Sequence, residues 1–148
     1  MLLLRLQTPD GRYVLDASAI SEIIPLVHYT RVPNGPDFLA GIINFRGHAV
    51  PVIDLGLLMD AKPCRERMDT RIILTRIAAT EKKQLFFGII AEGISGTLRL
   101  EHTGEESSEI LLQDLVNPTE ANGQEFLQLL NVAKVLGSER ITSLLAYC

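Results

Sequence analysis

The chain of 148 residues has no tryptophan, and aromatic residues make up only 5% of it. A stacking platform for sugars or bases has little to be built from. Cysteine is nearly absent as well. Cys64 and Cys148 stand far apart with no Cys-x-x-Cys pair, which supports neither a zinc site nor a disulfide framework and fits a reducing compartment. The three histidines, His28, His48 and His102, fall on separate segments with no HxH or HExxH spacing. No apolar run approaches the ~20 residues of a membrane span. Met1-Leu2-Leu3-Leu4 meets Arg5 before a secretory core of roughly 7–15 apolar residues can form, so neither insertion nor export is expected. A strong charge of one sign is missing too. Lys and Arg number 14 against 18 Asp and Glu, a net charge of −4, which argues against a nucleic-acid footprint.

What the sequence does have is the composition of a folded domain, with 47% apolar and 22% charged residues. A single domain of this length buries about 70% of the surface its unfolded chain exposes. It needs no metal or disulfide to hold a core, and no cofactor is expected. Charge is uneven along the chain. Residues 1–60 carry 4 basic and 6 acidic side chains, residues 61–84 carry 7 and 3, and residues 85–148 carry 3 and 9. The basic stretch reads as a solvated connection between strands rather than a phosphate-binding patch.

Short strands dominate the pattern. Leu2, Leu4 and Leu6 alternate with Leu3, Arg5 and Gln7, as in a half-buried strand. Thr8-Pro9-Asp10-Gly11 is a turn, because Pro presets φ, Asp bonds its own backbone and Gly accepts positive φ. Arg12–Asp16 completes the hairpin. Ser18–Glu22 is a candidate single helical turn, with an extended piece starting at Ile23. Pro33-Asn34-Gly35-Pro36 breaks the chain. Ile42–Phe45 and Ala49–Ile53 flank Arg46-Gly47-His48 as a second hairpin, with Pro51 expected at an edge or bulge. Asp54 is placed to cap a short helical turn over Leu55–Met59. Arg71–Arg76 is apolar and β-branched. Leu85–Ala91 is apolar enough to be covered on both faces. Ser95–Leu100 follows as a further strand, 101–109 as an acidic loop, then apolar pieces at Phe126–Leu130, Val132–Val135 and Ile141–Tyr147. About ten strand candidates with turns every ~8–12 residues and no long amphipathic helix indicate barrels or sandwiches. Barrel closure removes exposed edges, and two small barrels sharing a core suit the length.

Catalytic chemistry finds little support. There is no GxSxG, no P-loop and no GxGxxG after a strand. Asp54 and Glu92 each end an apolar strand, where a catalytic carboxylate can sit. Capping explains Asp54 equally well, and Glu92 has no carboxylate near it in sequence for a glycosidase-type pair.

A longer string is more specific. Glu22-Ile23, then Thr30-Arg31-Val32-Pro33-Asn34-Gly35-Pro36-Asp37-Phe38-Leu39-Ala40-Gly41-Ile42-Ile43-Asn44-Phe45-Arg46-Gly47, then Val50-Pro51-Val52-Ile53-Asp54-Leu55 resembles the CheW family of chemotaxis coupling proteins. Phe45 replaces the leucine of the family's N-L-R-G. Gly88–Leu98 is similar to a second family block, with Glu92 for aspartate and Thr97 for an aliphatic residue. The resemblance weakens beyond 110, where Asn131 stands in place of a glycine.

The resemblance implies an all-β fold of two SH3-like five-stranded β-barrels sharing a hydrophobic core, with residues 1–148 forming one CheW-like domain of two intertwined subdomains. It implies a cytoplasmic, non-catalytic adaptor recruited to membrane receptor arrays. Its partners would be the cytoplasmic tip of a methyl-accepting chemotaxis receptor and the regulatory domain of a CheA-type histidine kinase. Carried over residue by residue, it puts Ile20, Gly41, Arg46 and Thr97 at a receptor-binding groove between the barrels. Glu22, Asn44, Phe45 and Gly47 would support that surface. Arg46, at the hairpin tip, offers a planar fork of five donors and is expected to pair with Glu22. Gly41 is either a docking requirement or a conformational one. The polar Thr97, Asn131 and the acidic loop lean toward a specialised chemotaxis-like pathway over flagellar chemotaxis.

Two other classes compete. A ligand-binding sensor would use the cleft between the barrels and needs a closed apolar pocket with convergent polar groups. A small hydrolase would use Asp54, Glu92 or a histidine and needs two such groups within hydrogen-bond reach.

Overall fold

A computed structural model of the chain describes residues 2–94, 97–99 and 128–148. The expected acidic loop 101–109, His102, Ser95, Gly96, Leu100 and residues 126–127 lie outside the described residues.

The first hairpin forms where it is expected, but without strict alternation, since adjacent Leu3 and Leu4, and Tyr13, Val14 and Leu15, are buried while Leu2 is exposed. Strand β1 (Leu2–Gln7) pairs antiparallel with β2 (Arg12–Asp16), and the Thr8 N–H closes the turn onto the Gly11 carbonyl at 2.9 Å. The helical turn expected over Ser18–Glu22 is shorter and earlier. Asp16 caps one 3-10 turn, Ala17–Ala19, by accepting from the Ser18 N–H. Ile20 is already in strand β3 (Ile20–Pro25). Strands β4 (Leu39–Phe45) and β5 (His48–Asp54) form the second hairpin around Arg46-Gly47. Asp54 then caps α1 (Leu55–Asp60). Strands β6 (Arg71–Ala78) and β7 (Gln84–Ala91) pair along their whole length. Strands β8 (Thr97–Arg99) and β9 (Gln128–Leu129) and helix α2 (Val132–Leu145) complete the described elements.

Two sheets result. One has the order β8-β1-β2-β9 and the other β3-β6-β7-β5-β4. The second has the five strands expected of an SH3-like barrel; the first shows four among the described residues. Pro51 sits inside β5, an interior strand, yet its surroundings are those of an edge. It faces Ile42 of β4, and β7 joins β5 only from Val52 onward. No ladder donor is needed where Pro51 lacks one.

The five-stranded sheet is covered on both faces, which explains its continuous apolar runs. Ile43, Val50, Val52, Ile72, Leu74 and Ile90 form one buried cluster. The alternate residues Ile53, Ile73, Leu85, Phe87, Ile89 and Ala91 point the other way. There they join Leu4, Leu6, Tyr13 and Leu15 of the first sheet, and Leu136, Ile141 and Leu144 of α2. The two sheets therefore share one core.

Helix α2 corrects the sequence reading. Val132–Val135 and Ile141–Tyr147 were expected among the strand candidates, and instead Val132–Leu145 is helical in two segments that meet at Gly137. Gly137 separates them with φ 77 and ψ 163, a region essentially reserved for glycine. Val132 and Leu136 bury one face before the break, and Ile141 and Leu144 another after it. Asn131, the departure from the family pattern, is the N-cap, its Oδ1 accepting from the Lys134 N–H at 3.2 Å. None of the described helices is long and apolar enough to cross a membrane.

Candidate protein-docking surface

The site begins at a two-residue turn. Phe45 and His48 are the last pair of the β4–β5 ladder, and Arg46 and Gly47 between them have φ of 51 and 84. Two successive positive φ values are those of a type I′ turn, whose right-handed twist matches the flanking strands. Asn44 Oδ1 accepts from the Gly47 N–H at 2.9 Å and fixes the loop. Asn, Asp or Gly is the usual first residue of such a turn. Arginine is held there against a left-handed preference cost of roughly 1–2 kcal/mol.

The turn projects Arg46 into solvent, with 72% of its side chain exposed. Its guanidinium lies 4.7 Å from the centre of the Phe45 ring, and its Nη2 reaches Glu22 Oε1 at 3.0 Å. The Arg46–Glu22 pair is present through one nitrogen–oxygen contact rather than a bidentate fork. Glu22 belongs to β3, while Arg46 joins β4 to β5, and β3 and β4 are opposite edges of the sheet. Their ion pair therefore requires the sheet to curl on itself. It marks the seam of the barrel.

The seam opens into a cleft of about 630 Å³ whose walls include Glu22, Phe45, Arg46, Val50, Arg76 and Phe86. The Phe45 and Phe86 rings are 6.1 Å apart and tilted by 43°. Arg76 lies 5.2 Å over the Phe86 ring. Sequence reasoning missed Arg76 and Phe86. They are direct cross-strand partners in the β6–β7 ladder, so closing that hairpin on Glu81-Lys82-Lys83 places them together.

The other expected site residues are spread out. Ile20 is half-buried and packs against the shared core. Gly41 is buried in β4 beside a register shift. A Cβ there would stand 2.4 Å from the Thr30 carbonyl oxygen, where Thr30 and Ile42 exchange backbone hydrogen bonds of 2.9 Å. A side chain at 41 therefore meets the protein's own backbone first, which is the conformational reading of that glycine. Thr97 is exposed on β8 opposite Leu4, on the other sheet. Arg46, Glu22 and Phe45 come together; Gly41 and Thr97 lie elsewhere.

The carboxylates weighed as catalytic are occupied. Asp54 accepts from the backbone N–H groups of Gly56, Leu57 and Cys64 at 2.9–3.2 Å. Glu92 is fully buried and is held by the Arg65 N–H at 2.9 Å, Arg65 Nε at 3.1 Å and Arg65 Nη2 at 2.9 Å. The basic connection is thus not wholly solvated: Cys64 and Arg65 pin it to the ends of β5 and β7. Burial, with the nearby Asp54 charge, pushes the Cys64 thiol well above its usual range. A second cleft, of about 720 Å³, runs along the Tyr29–Asp37 loop, with the already occupied Asp54 in its wall. Among the described residues no cluster of metal-ligating side chains occurs.

Comparisons with known proteins agree with this architecture. The chemotaxis protein CheW of Helicobacter pylori is 27% identical over 126 residues, covering 85% of this chain and 73% of that protein. The chemotaxis protein CheW of Klebsiella aerogenes is 29% identical over 136 residues, covering 89% and 79%. The crystal structure of the scaffolding protein TtCheW from Thermoanaerobacter tengcongensis superposes with a TM-score of 0.71 at 20% identity, over 94% of this chain and 89% of that one. The CheW-like domain model matches residues 2–140; with the shared core and the barrel seam above, the chain belongs to the CheW-like domain family.

Proposed function

We propose that the protein is a non-catalytic adaptor that couples methyl-accepting chemotaxis receptors to a CheA-type histidine kinase, in chemotaxis or a chemotaxis-like pathway. The whole chain acts as one CheW-like domain of two subdomains, in the cytoplasm at receptor arrays. The receptor tip is read by the surface around Arg46, with Glu22, Asn44, Phe45 and Gly47 shaping it, while Ile20, Gly41 and Thr97, which lie away from that turn, belong to a separate part of the receptor-facing side. The kinase regulatory domain takes a separate barrel end. Coupling follows when the receptor's signalling states differ in their free energy of contact with the assembly.

The observation that carries this reading is the presentation of Arg46. A costly left-handed turn holds a charged, mostly exposed side chain over an aromatic ring and against a fixed carboxylate. An exposed pair of this kind contributes only about 0.2–1 kcal/mol to stability, so the arrangement serves contact with something outside the fold. The relatives' names, chemotaxis protein and scaffolding protein, fit the same role.

The test is capture of receptor signalling fragments and of the kinase regulatory domain by wild type and Arg46→Ala. Wild type captures both. Arg46→Ala melts within a few degrees of wild type and captures the receptor fragment more weakly. Capture of neither partner by folded wild type contradicts the proposal.

A further inference from the structure

The Arg46 turn is half of a larger pattern. Phe45 and Phe86 form a tilted aromatic pair, and each carries a guanidinium on a ring face, Arg46 at 4.7 Å and Arg76 at 5.2 Å. The two cations are not equivalent. Arg46 is neutralised by Glu22, whereas Arg76 has no carboxylate within ion-pair distance among the described residues. Stacking on Phe86 restrains the Arg76 guanidinium while leaving its N–H edge open to a carboxylate. A donor restrained before binding loses less entropy on docking. The cleft beside it adds Ala49 and Val50 to the two rings. It offers an apolar patch of two rings, Ala49 and Val50, with Ser21, His48, Gln84 and Cys148 also in its walls and the Arg76 guanidinium beside it, and its complement is an apolar segment bearing a carboxylate.

We propose that Phe45, Phe86 and Arg76 form a specificity site for the receptor tip, taking a receptor side-chain carboxylate on Arg76 and the apolar residues beside it on the two rings. This rests on the adaptor reading and extends it. The occupant is assigned to the receptor because the cleft is continuous with the Arg46–Glu22 surface. Arg76 is then the residue that selects among receptors by charge, as Phe45 and Phe86 select by shape.

The test uses the full chain, a soluble signalling fragment of a methyl-accepting receptor from the same genome, and the kinase regulatory domain. Calorimetric titrations compare wild type with Arg76→Glu, Arg76→Lys and Phe86→Ala. Arg76 is exposed and holds no carboxylate in place, so Arg76→Glu should fold, which its thermal melt checks. Receptor affinity should fall about tenfold or more in Arg76→Glu, as for a hot-spot charge, and by less in Arg76→Lys. Added salt should weaken wild type more than Arg76→Glu. Kinase-domain affinity should not change. Receptor binding undiminished in Arg76→Glu and Phe86→Ala overturns this inference and leaves the adaptor reading standing. So does loss of kinase binding alone, or a wild-type self-association that Arg76→Glu abolishes. Binding of neither partner by wild type overturns both.

Discussion

Glu92 is a buried carboxylate outside the proposed docking surface. Its carboxylate is fully buried at the end of β7 and depends on Arg65 for three of its contacts. Arg65→Ala keeps the backbone donor and removes the guanidinium, leaving the buried charge poorly matched. The expected cost is about 2 kcal/mol, below the ~3–5 kcal/mol of a fully buried pair, because 58% of the Arg65 side chain is exposed. Urea unfolding measures it, and adding Glu92→Gln to Arg65→Ala should recover part of the loss. Cys64 gives a pH signature. Burial raises its thiol pKa in the folded state, while an unfolded thiol titrates near 8.5. Below that pH the thiol is protonated in both states and the group adds no pH dependence. Above it only the unfolded chain ionises, so stability falls as pH rises, by at most about 1.4 kcal/mol per pH unit from this group. Unfolding of wild type and Cys64→Val between pH 7 and 10 tests this (Tyr13 and Tyr29, also pushed up by burial, contribute to both proteins). The variant should show the shallower decline.

At the scale of elements, apolar runs and turn chemistry located most of the strands, missed the start of β3 at Ile20 and were blind to the last helix. Leu2–Gln7, Arg12–Asp16 and the hairpin around Arg46-Gly47 formed where apolar runs and Gly-containing turns put them, although both faces of β1 and β2 bury apolar residues. Asp54 was legible as a cap because the donors it satisfies from α1 are two and three residues away. Val132–Leu145 was not legible. Its helical period is interrupted at Gly137, and Val132, Val135 and Ile141 are β-branched, so each half imitates a short strand. The core contacts of Leu136, Ile141 and Leu144 override that local preference. Gly137→Ala should therefore destabilise the protein by about 1–3 kcal/mol, although nothing lies within 4 Å of its added Cβ. A thermal melt showing no loss would mean the kink straightens freely.

For the whole molecule, the candidate site was legible only in part, since Gly41 and Thr97 fall away from Arg46. The family-like string brought Arg46, Glu22 and Phe45 to one surface through their order in the chain. Arg76 and Phe86 join them through the curl of the five-stranded sheet, which no single segment encodes. The shared core has the same origin: adjacent residues such as Ile72 and Ile73 face different clusters, so one apolar run serves two interiors. Asp54 and Glu92 are satisfied internally, and the proposed adaptor role falls to the barrel ends and seam. Coupling as proposed requires that two partners be held together on separate faces. The direct measurement is native mass spectrometry of the protein mixed with a receptor signalling fragment and the kinase regulatory domain. A species containing all three is predicted, with the receptor fragment lost from it in Arg46→Ala while the kinase domain stays. Strict competition, in which either partner expels the other, would contradict the account.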